Sequence, residues 1–407
     1  MFNTARDLVT IVQRRSLIAL TCGSMTQHGI VLLLMGPVLP SLMQYFQIQE
    51  SAAGLLLGMG SLGFTLGPIV AGALADRSGV RAVLLLGLGI EIILLALFGF
   101  VPSSSFVLAL LLALLLQFAA AFVETAVNVI PALIERHQAG SLMNLVHMFF
   151  SIGAFLSPFL AGVILQATGN WRLVFWLTIT PTVLLLAIGW EVPFPPRVQK
   201  APDDHRPRIP LVALLRERSI LLGALALFLY VGAEIGASNW IVLFLQRERS
   251  FSTLAATSGL SILWIGIMIG RYLNSVLAKY RSSRELVLWA GVGGLITGLG
   301  LLTASIPAIA YLWLGGLGLS MSGVYPNIMA ELNGRDPARA GVVTGFLTVA
   351  AAAGSMISQP TLGVLAERFG LATAMIMPAI LMGLLTVSYL GAVEVKPGRA
   401  PMPAKEG

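Results

Sequence analysis

Apolar runs of about twenty residues or more, separated by short polar or Gly/Pro clusters, recur along this chain from end to end. A run of that length crosses a hydrocarbon layer roughly 30 Å thick as a helix, which satisfies its own backbone hydrogen bonds. The runs fall at about Leu17 to Phe46, Ala52 to Ala75, Val83 to Val101, Phe106 to Ile134, Leu142 to Leu165 and Leu173 to Trp190. They resume at Ile220 to Leu245, Leu254 to Leu277, Leu286 to Ile306, Ala308 to Ala330, Gly341 to Leu365 and Leu371 to Val393. The pattern predicts an all-α membrane protein with twelve transmembrane helices in two pseudo-symmetric six-helix bundles. Only 11% of residues are charged, less than half of what soluble surfaces carry, and a water-soluble fold is excluded. The run after Arg14 and Arg15 is far longer than a signal-peptide core and reads as a retained span.

Basic residues set the expected orientation. With the N-terminus inside, 20 of the 25 Lys and Arg fall on the cytoplasmic side, Arg172, Arg247, Arg249 and Arg368 fall outside, and Arg271 lies within a helix. Lys and Arg stay cytoplasmic during insertion, so a multi-pass cell-membrane protein with both termini cytoplasmic is expected. The net charge of +7 then needs no nucleic-acid partner. The single Cys22 excludes an internal disulfide and reads as a small core residue. No phosphate-binding loop, metal-ligand spacing or hydrolase constellation is found, so no cofactor, no metal and no enzymatic activity are expected.

The longest polar stretch, Glu191 to Arg218, begins with Pro193, Pro195 and Pro196 and reads as a cytoplasmic linker. It divides the chain into an N-terminal bundle (1–190), the linker (191–218) and a C-terminal bundle (219–407). Gly153, Ser157, Gly162, Val163 and Gly169 recur 201 positions later as Gly354, Ser358, Gly363, Val364 and Gly370; Gly67, Leu74, Ala75 and Arg81 recur 203 positions later as Gly270, Leu277, Ala278 and Arg284. Related halves around a midplane site are a recurring transporter plan.

The loop after the second run reads Gly72-Ala-Leu-Ala-Asp76-Arg77-Ser-Gly79-Val-Arg81. It resembles the loop signature of the major facilitator superfamily, which implies a conformational latch with Asp76, Arg77 and Arg81 as gating residues. In the second half Lys279, Tyr280 and Ser282 replace the Asp, Arg and Gly, so a symmetric second latch is not expected. A narrower likeness lies in Glu124-Thr-Ala-Val-Asn128, then Met143-Asn144-Leu-Val-His147 with Gly153-Ala154. Further pieces are Asn170-Trp171-Arg172, Gly232-Ala-Glu234 with Trp240, and Ser322-Gly-Val-Tyr325-Pro326-Asn327. Together these resemble the fucose permease group of sugar/proton symporters. That group places an acid four residues before a first-helix proline; here the position before Pro40 is Gly36, and Phe150 replaces a residue that is polar in some members.

Glu124 stands out on physical grounds alone, since an acid at a helix centre costs about 2.5 to 3.5 kcal/mol on insertion scales and must be compensated. Gln117, Glu124 and Asn128 share one stripe of the fourth helix, which suits a cavity wall. Glu234, flanked by Gly232 and Gly236, is a second proton-coupling candidate. Candidate substrate contacts are Gln27 and His28 in the first helix, Gln117, Asn128, Asn144 and His147, Asn239 and Trp240 in the seventh, Tyr325 and Asn327 in the tenth, and Gln359 in the eleventh. Tyr325 stands 201 positions after Glu124 and is its pseudo-symmetric counterpart. Arg271 is expected to brace the inner gate, and Glu91 has no evident partner. The expected function is alternating-access transport of a small polar solute, a sugar by resemblance, driven by protons, by a monomer in membrane lipid. The rivals are a proton-driven exporter of amphipathic drugs, which a Met- and Phe-lined cavity would favour, and a non-transporting receptor or scaffold.

Overall fold

The computed structural model describes residues 11–134, 141–194, 214–336 and 339–391, with the side chains of residues 11, 12, 141 and 144 outside that description. All regular structure among them is helical. Twelve spans are long and apolar enough to cross a membrane: α1 Gln13–Phe46, α2 Glu50–Ser78, α3 Val80–Gly99, α4 Phe106–Ile134, α5 Leu145–Thr168, α6 Trp171–Glu191, α7 Arg218–Arg249, α8 Thr253–Leu277, α9 Ser283–Leu301, α10 Pro307–Arg335, α11 Ala340–Phe369 and α12 Leu371–Leu390. The shortest has 19 residues, about 28 Å at 1.5 Å per residue.

Three spans are broken where the sequence suggests continuity: α1 at Leu33 and Leu34, α10 at Ser322 and Gly323, and α12 at Met375. Each break adjoins a residue whose helical donor, four positions on, is proline: Leu33 with Pro37, Ser322 with Pro326, Ala374 with Pro378. Proline supplies no N–H and crowds that carbonyl, so the helix stops and restarts with the proline in its first turn, where no donor is needed. Pro40, Pro68, Pro131, Pro158, Pro181 and Pro360 sit inside helices that continue through them.

The two halves meet along two long seams, α2 against α11 and α5 against α8, and the second part of α1 also packs on α7. Successive spans alternate direction, so the α1–α2 and α7–α8 turns share one end, here the Glu50 end, and the α2–α3 and α8–α9 turns share the other, the Asp76 end. On the first seam Gly54 and Gly363 pack backbone to backbone; on the second Gly162 abuts Thr257. These are the same crossing twice, since Gly162 and Gly363 differ by 201 positions and Gly54 and Thr257 by 203. Each crossing is finished by a side chain of one half capping a helix start in the other. Glu367 accepts from Ser51 N at 3.0 Å, and Gln166 accepts from Leu254 N at 3.4 Å. An ion pair between Arg247 and Glu50 at 2.5 Å closes the rim. Toward the Asp76 end the space beside Gly72 and Gly345 is open.

One contact of the loop motif recurs in the second half. Arg81 donates to the Trp190 carbonyl at 2.5 Å, and Arg284 donates to the Leu390 carbonyl at 3.0 Å. Each arginine ties the third helix of its half to the sixth. The Asp, Arg and Gly missing from the second loop do not carry this contact, which needs only the arginine and a free carbonyl at a helix end.

Candidate functional site

Between the halves, beneath the closed Glu50 end, lies a cavity of about 130 Å³. Its walls are mostly apolar, with Leu33, Leu57, Phe64, Val231 and Ile235 among them, and its polar groups are Ser61, Gln117, Ser238, Asn239 and Ser355. The break in α1 helps to form it, because Leu32, Leu33 and Met35 line it directly. Gly36 follows, pressed against α7: a Cβ there would stand 2.7 Å from the Ser238 carbonyl and 3.2 Å from Asn239 Cα. The carboxylate that the fucose permease likeness places at this position is absent because the α7 backbone occupies its space.

Toward the Asp76 end, beyond the residues that line the cavity, lie ionisable groups. Glu124 is partly exposed, and its charge acts on Tyr325, which reaches Thr348 Oγ1 at 3.3 Å. Glu234 is 8% exposed and accepts a 2.6 Å hydrogen bond from Tyr230, one turn earlier on α7. The Arg271 charge acts on Glu234, Tyr230 and His147, and Arg271 Nη1 donates across the seam to Ser151 Oγ at 3.2 Å. Arg271 therefore belongs to this group of ionisable side chains. His28 is buried, stacks on Phe64 with ring centroids 5.9 Å apart, and lies 5.7 Å from Phe150, which in turn meets Trp264 edge-on at 5.7 Å. His28 Nδ1 and Trp264 Nε1 have no hydrogen-bond partner. An aromatic wall thus crosses from α1 and α2 through α5 to α8, with Phe150 at its middle.

Several sequence candidates sit elsewhere. Gln27 points away from the cavity and bonds Thr182 Oγ1 at 2.6 Å and the Thr178 carbonyl at 3.3 Å, locking α1 to α6. Asn327 is held by the break in α10: it donates to the Gly323 carbonyl at 2.7 Å and to Asn274 Oδ1 at 3.3 Å, while Asn274 bonds Ser322. Trp240 is fully buried and donates to Gln359 Oε1 at 3.0 Å. In this conformation both belong to the packing between α7 and α11. Asn128 is partly exposed beside Glu124. The side chain of Asn144 lies outside the described residues. Glu91 is fully buried, with neither carboxylate oxygen bonded to protein. Arg77 closes the last turn of α2, the C-terminal end that suits a cation.

Sequence reasoning missed Ser61, Phe64 and Ser238 in the cavity, and Tyr230 beside Glu234. Ser238 and Tyr230 stand four residues either side of Glu234, a helical spacing that could have found both. Ser61 and Phe64 carry no local signal.

A profile of the Major Facilitator Superfamily matches residues 20–358. The glucose/galactose transporter of Brucella abortus biovar 1 (strain 9-941) is 25% identical over 372 residues, 86% of this chain and 88% of that protein. A protein TsgA homolog of Erwinia tasmaniensis is 21% identical over 350 residues, 85% of this chain and 87% of that protein. Among solved structures, a bacterial homolog to the human lysosomal transporter Spinster superposes with a TM-score of 0.79 at 15% identity, over 94% of this chain and 97% of that one. The nucleoside transporter NupG gives 0.79 at 13%, over 94% and 100%. The fold, the broken spans around a central cavity and these likenesses agree: the chain belongs to the major facilitator superfamily and is a multi-pass membrane transporter, not an enzyme.

Proposed function

We propose that the protein carries a small neutral hydroxylated solute, a sugar, together with protons. The observation that supports this is Glu124, a partly exposed acid at mid-depth of α4 whose charge acts on Tyr325 of the other half. An acid kept at helix mid-depth is a functional group by default. Glu124 and Glu234 would exchange protons, with Arg271 able to neutralise Glu234 when the proton leaves. Asn239, Gln117, Asn128 and His147 would contribute to solute binding. The relative named as a glucose/galactose transporter supports a sugar. The bundles 1–190 and 219–407, joined by 191–218, would rock about the seams, with the Asp76 end cytoplasmic as the basic residues indicate. We take the working unit to be a monomer in the cell membrane.

The apolar share of the cavity wall supports one rival, export of amphipathic solutes. Reconstitution in liposomes separates the two: labelled hexoses, and separately lipophilic dyes, are offered with and without a pH gradient. Accumulation of a hexose driven by an inward proton gradient supports the proposal. Dye movement with no hexose uptake would replace it.

A further inference from the structure

The turns at Arg81 and Arg284 make the same contact, yet the exposed side chains around the second one differ from the first in a single direction. At the offset of 203 positions, Asp76 corresponds to Lys279, Ser78 to Arg281, Arg77 to Tyr280, Ile69 to Tyr272 and Leu86 to Trp289. An acid has given way to a base, a second base has joined it, and three aromatic rings have appeared. Tyr272, Tyr280 and Trp289 are 70%, 78% and 50% exposed, so none of these rings is there to fill a core. Lys279 is exposed and has no partner among the described residues. The acid of this turn, Glu285, is occupied in capping α9: it accepts from Ser282 N at 2.9 Å and from Ser282 Oγ at 3.1 Å, and reaches Arg281 only at 3.6 Å. The first turn carries its own carboxylate in Asp76, whereas the second exposes two cations with no such group beside them.

The turn lies at the level of lipid headgroups. With 19 residues, about 28 Å, α9 barely matches the hydrocarbon thickness, which places its first residues at the boundary. Helical side chains tilt toward the helix N-terminus, so the Trp289 indole reaches back toward the turn, and Arg281 Cζ stands 5.4 Å from its ring centroid. Val292 and Ile296 continue the same exposed face of α9, and the indole thereby holds the guanidinium on the side of the helix that meets lipid. Tyr and Trp settle at this depth, where one end is apolar and the other wet. We infer that the α8–α9 turn binds the headgroup of an anionic phospholipid in the leaflet at the Asp76 end. The phosphodiester lies between Lys279 and Arg281, and the acyl chains run along the exposed faces of α8 and α9 that carry Tyr272 and Trp289. The lipid supplies the negative charge that Asp76 supplies in the first half. This holds whatever solute the protein carries.

The test is native mass spectrometry of the purified full-length protein in detergent, titrated with phosphatidylglycerol or with phosphatidylcholine of the same acyl chains. Wild type should hold its first phosphatidylglycerol more tightly than phosphatidylcholine by about 25-fold, at about fivefold for each basic residue beside an anionic headgroup. Lys279→Asp combined with Arg281→Ser, which restores the residues of the first turn, should remove that preference. Arg368→Ala, which takes an exposed cation from the opposite end, should keep it. Glycerophosphoglycerol, the same phosphodiester without acyl chains, should not displace the lipid at equal concentration. Equal affinity of wild type for the two lipids overturns the inference without recourse to any variant. A preference that survives the paired substitution, or that Arg368→Ala abolishes, overturns the assignment to this turn. Displacement by glycerophosphoglycerol overturns the lipid and makes the turn a site for a soluble anion.

Discussion

Adding one methyl group at Gly54 should open the Glu50 end. A Cβ there would lie 2.6 Å from the Gln359 carbonyl oxygen, 3.0 Å from Pro360 Cα and 3.1 Å from Gly363 Cα. All three are backbone atoms, which cannot rotate aside. Overpacking of this kind costs about 1 to 3 kcal/mol, and the cost falls only on the conformation in which α2 and α11 touch. The gain in helix propensity from glycine to alanine is present in both conformations and cancels. At about 1.4 kcal/mol per tenfold, the ratio of outward-open to closed molecules should rise by about 5- to 150-fold. Gly72, on the same helix with open space around it, is the control. The assay is labelling of a cysteine introduced by Ser61→Cys on the cavity wall, in a Cys22→Ser background, with an impermeant thiol reagent applied from the Glu50 side. Gly54→Ala should raise the labelling rate, and Gly72→Ala should leave it unchanged. Equal rates for Gly54→Ala and the parent would refute the idea that this crossing holds the end shut.

The paired caps should contribute unequally to the same labelling. Glu367→Ala removes a charged acceptor from the start of α2 and should open the end by about 2- to 30-fold, within the usual range of about 0.5 to 2 kcal/mol for a helix cap, while Gln166→Ala, losing a longer and neutral bond, should act less. Arg247→Ala breaks an exposed ion pair worth about 0.2 to 1 kcal/mol and should shift labelling by about fivefold at most, an effect that high salt removes. Gln27→Leu and Asn327→Ala should lower the melting temperature, each through a buried bond worth about 0.6 kcal/mol in membrane proteins. Both should leave solute affinity unchanged, and a weakened affinity with an unchanged melting temperature would return them to the binding site.

The twelve spans were legible because length and hydropathy alone determine what lipid accepts. Span ends agree with the sequence expectation to within a few residues, the widest differences being at the C-termini of α9 and α10. The helix breaks were less visible. Pro37, Pro326 and Pro378 lie in the first turn after a break, whereas Pro68, Pro131 and Pro158 lie inside continuous helices, so a proline in an apolar run does not by itself announce an interruption. Glu124 and Glu234 could be singled out from the cost of burying an acid. The roles of amides could not, because an amide serves equally well as a brace or a ligand, and partner choice is tertiary. Gln27 finds Thr182 at a separation of 155 residues, and Trp240 finds Gln359 at 119. Gly36 is the clearest instance of a residue explained only by its neighbour, since nothing local tells that α7 lies against it.

Proton coupling through Glu124 is tested most directly in proteoliposomes holding wild type or Glu124→Gln, comparing uptake driven by a pH gradient with exchange of labelled for unlabelled solute. Glutamine keeps the shape and polarity of the side chain but carries no exchangeable acid proton. The expected result is loss of gradient-driven accumulation with exchange preserved. Accumulation equal to wild type would contradict the coupling role of Glu124 and with it the account of how this transporter does work.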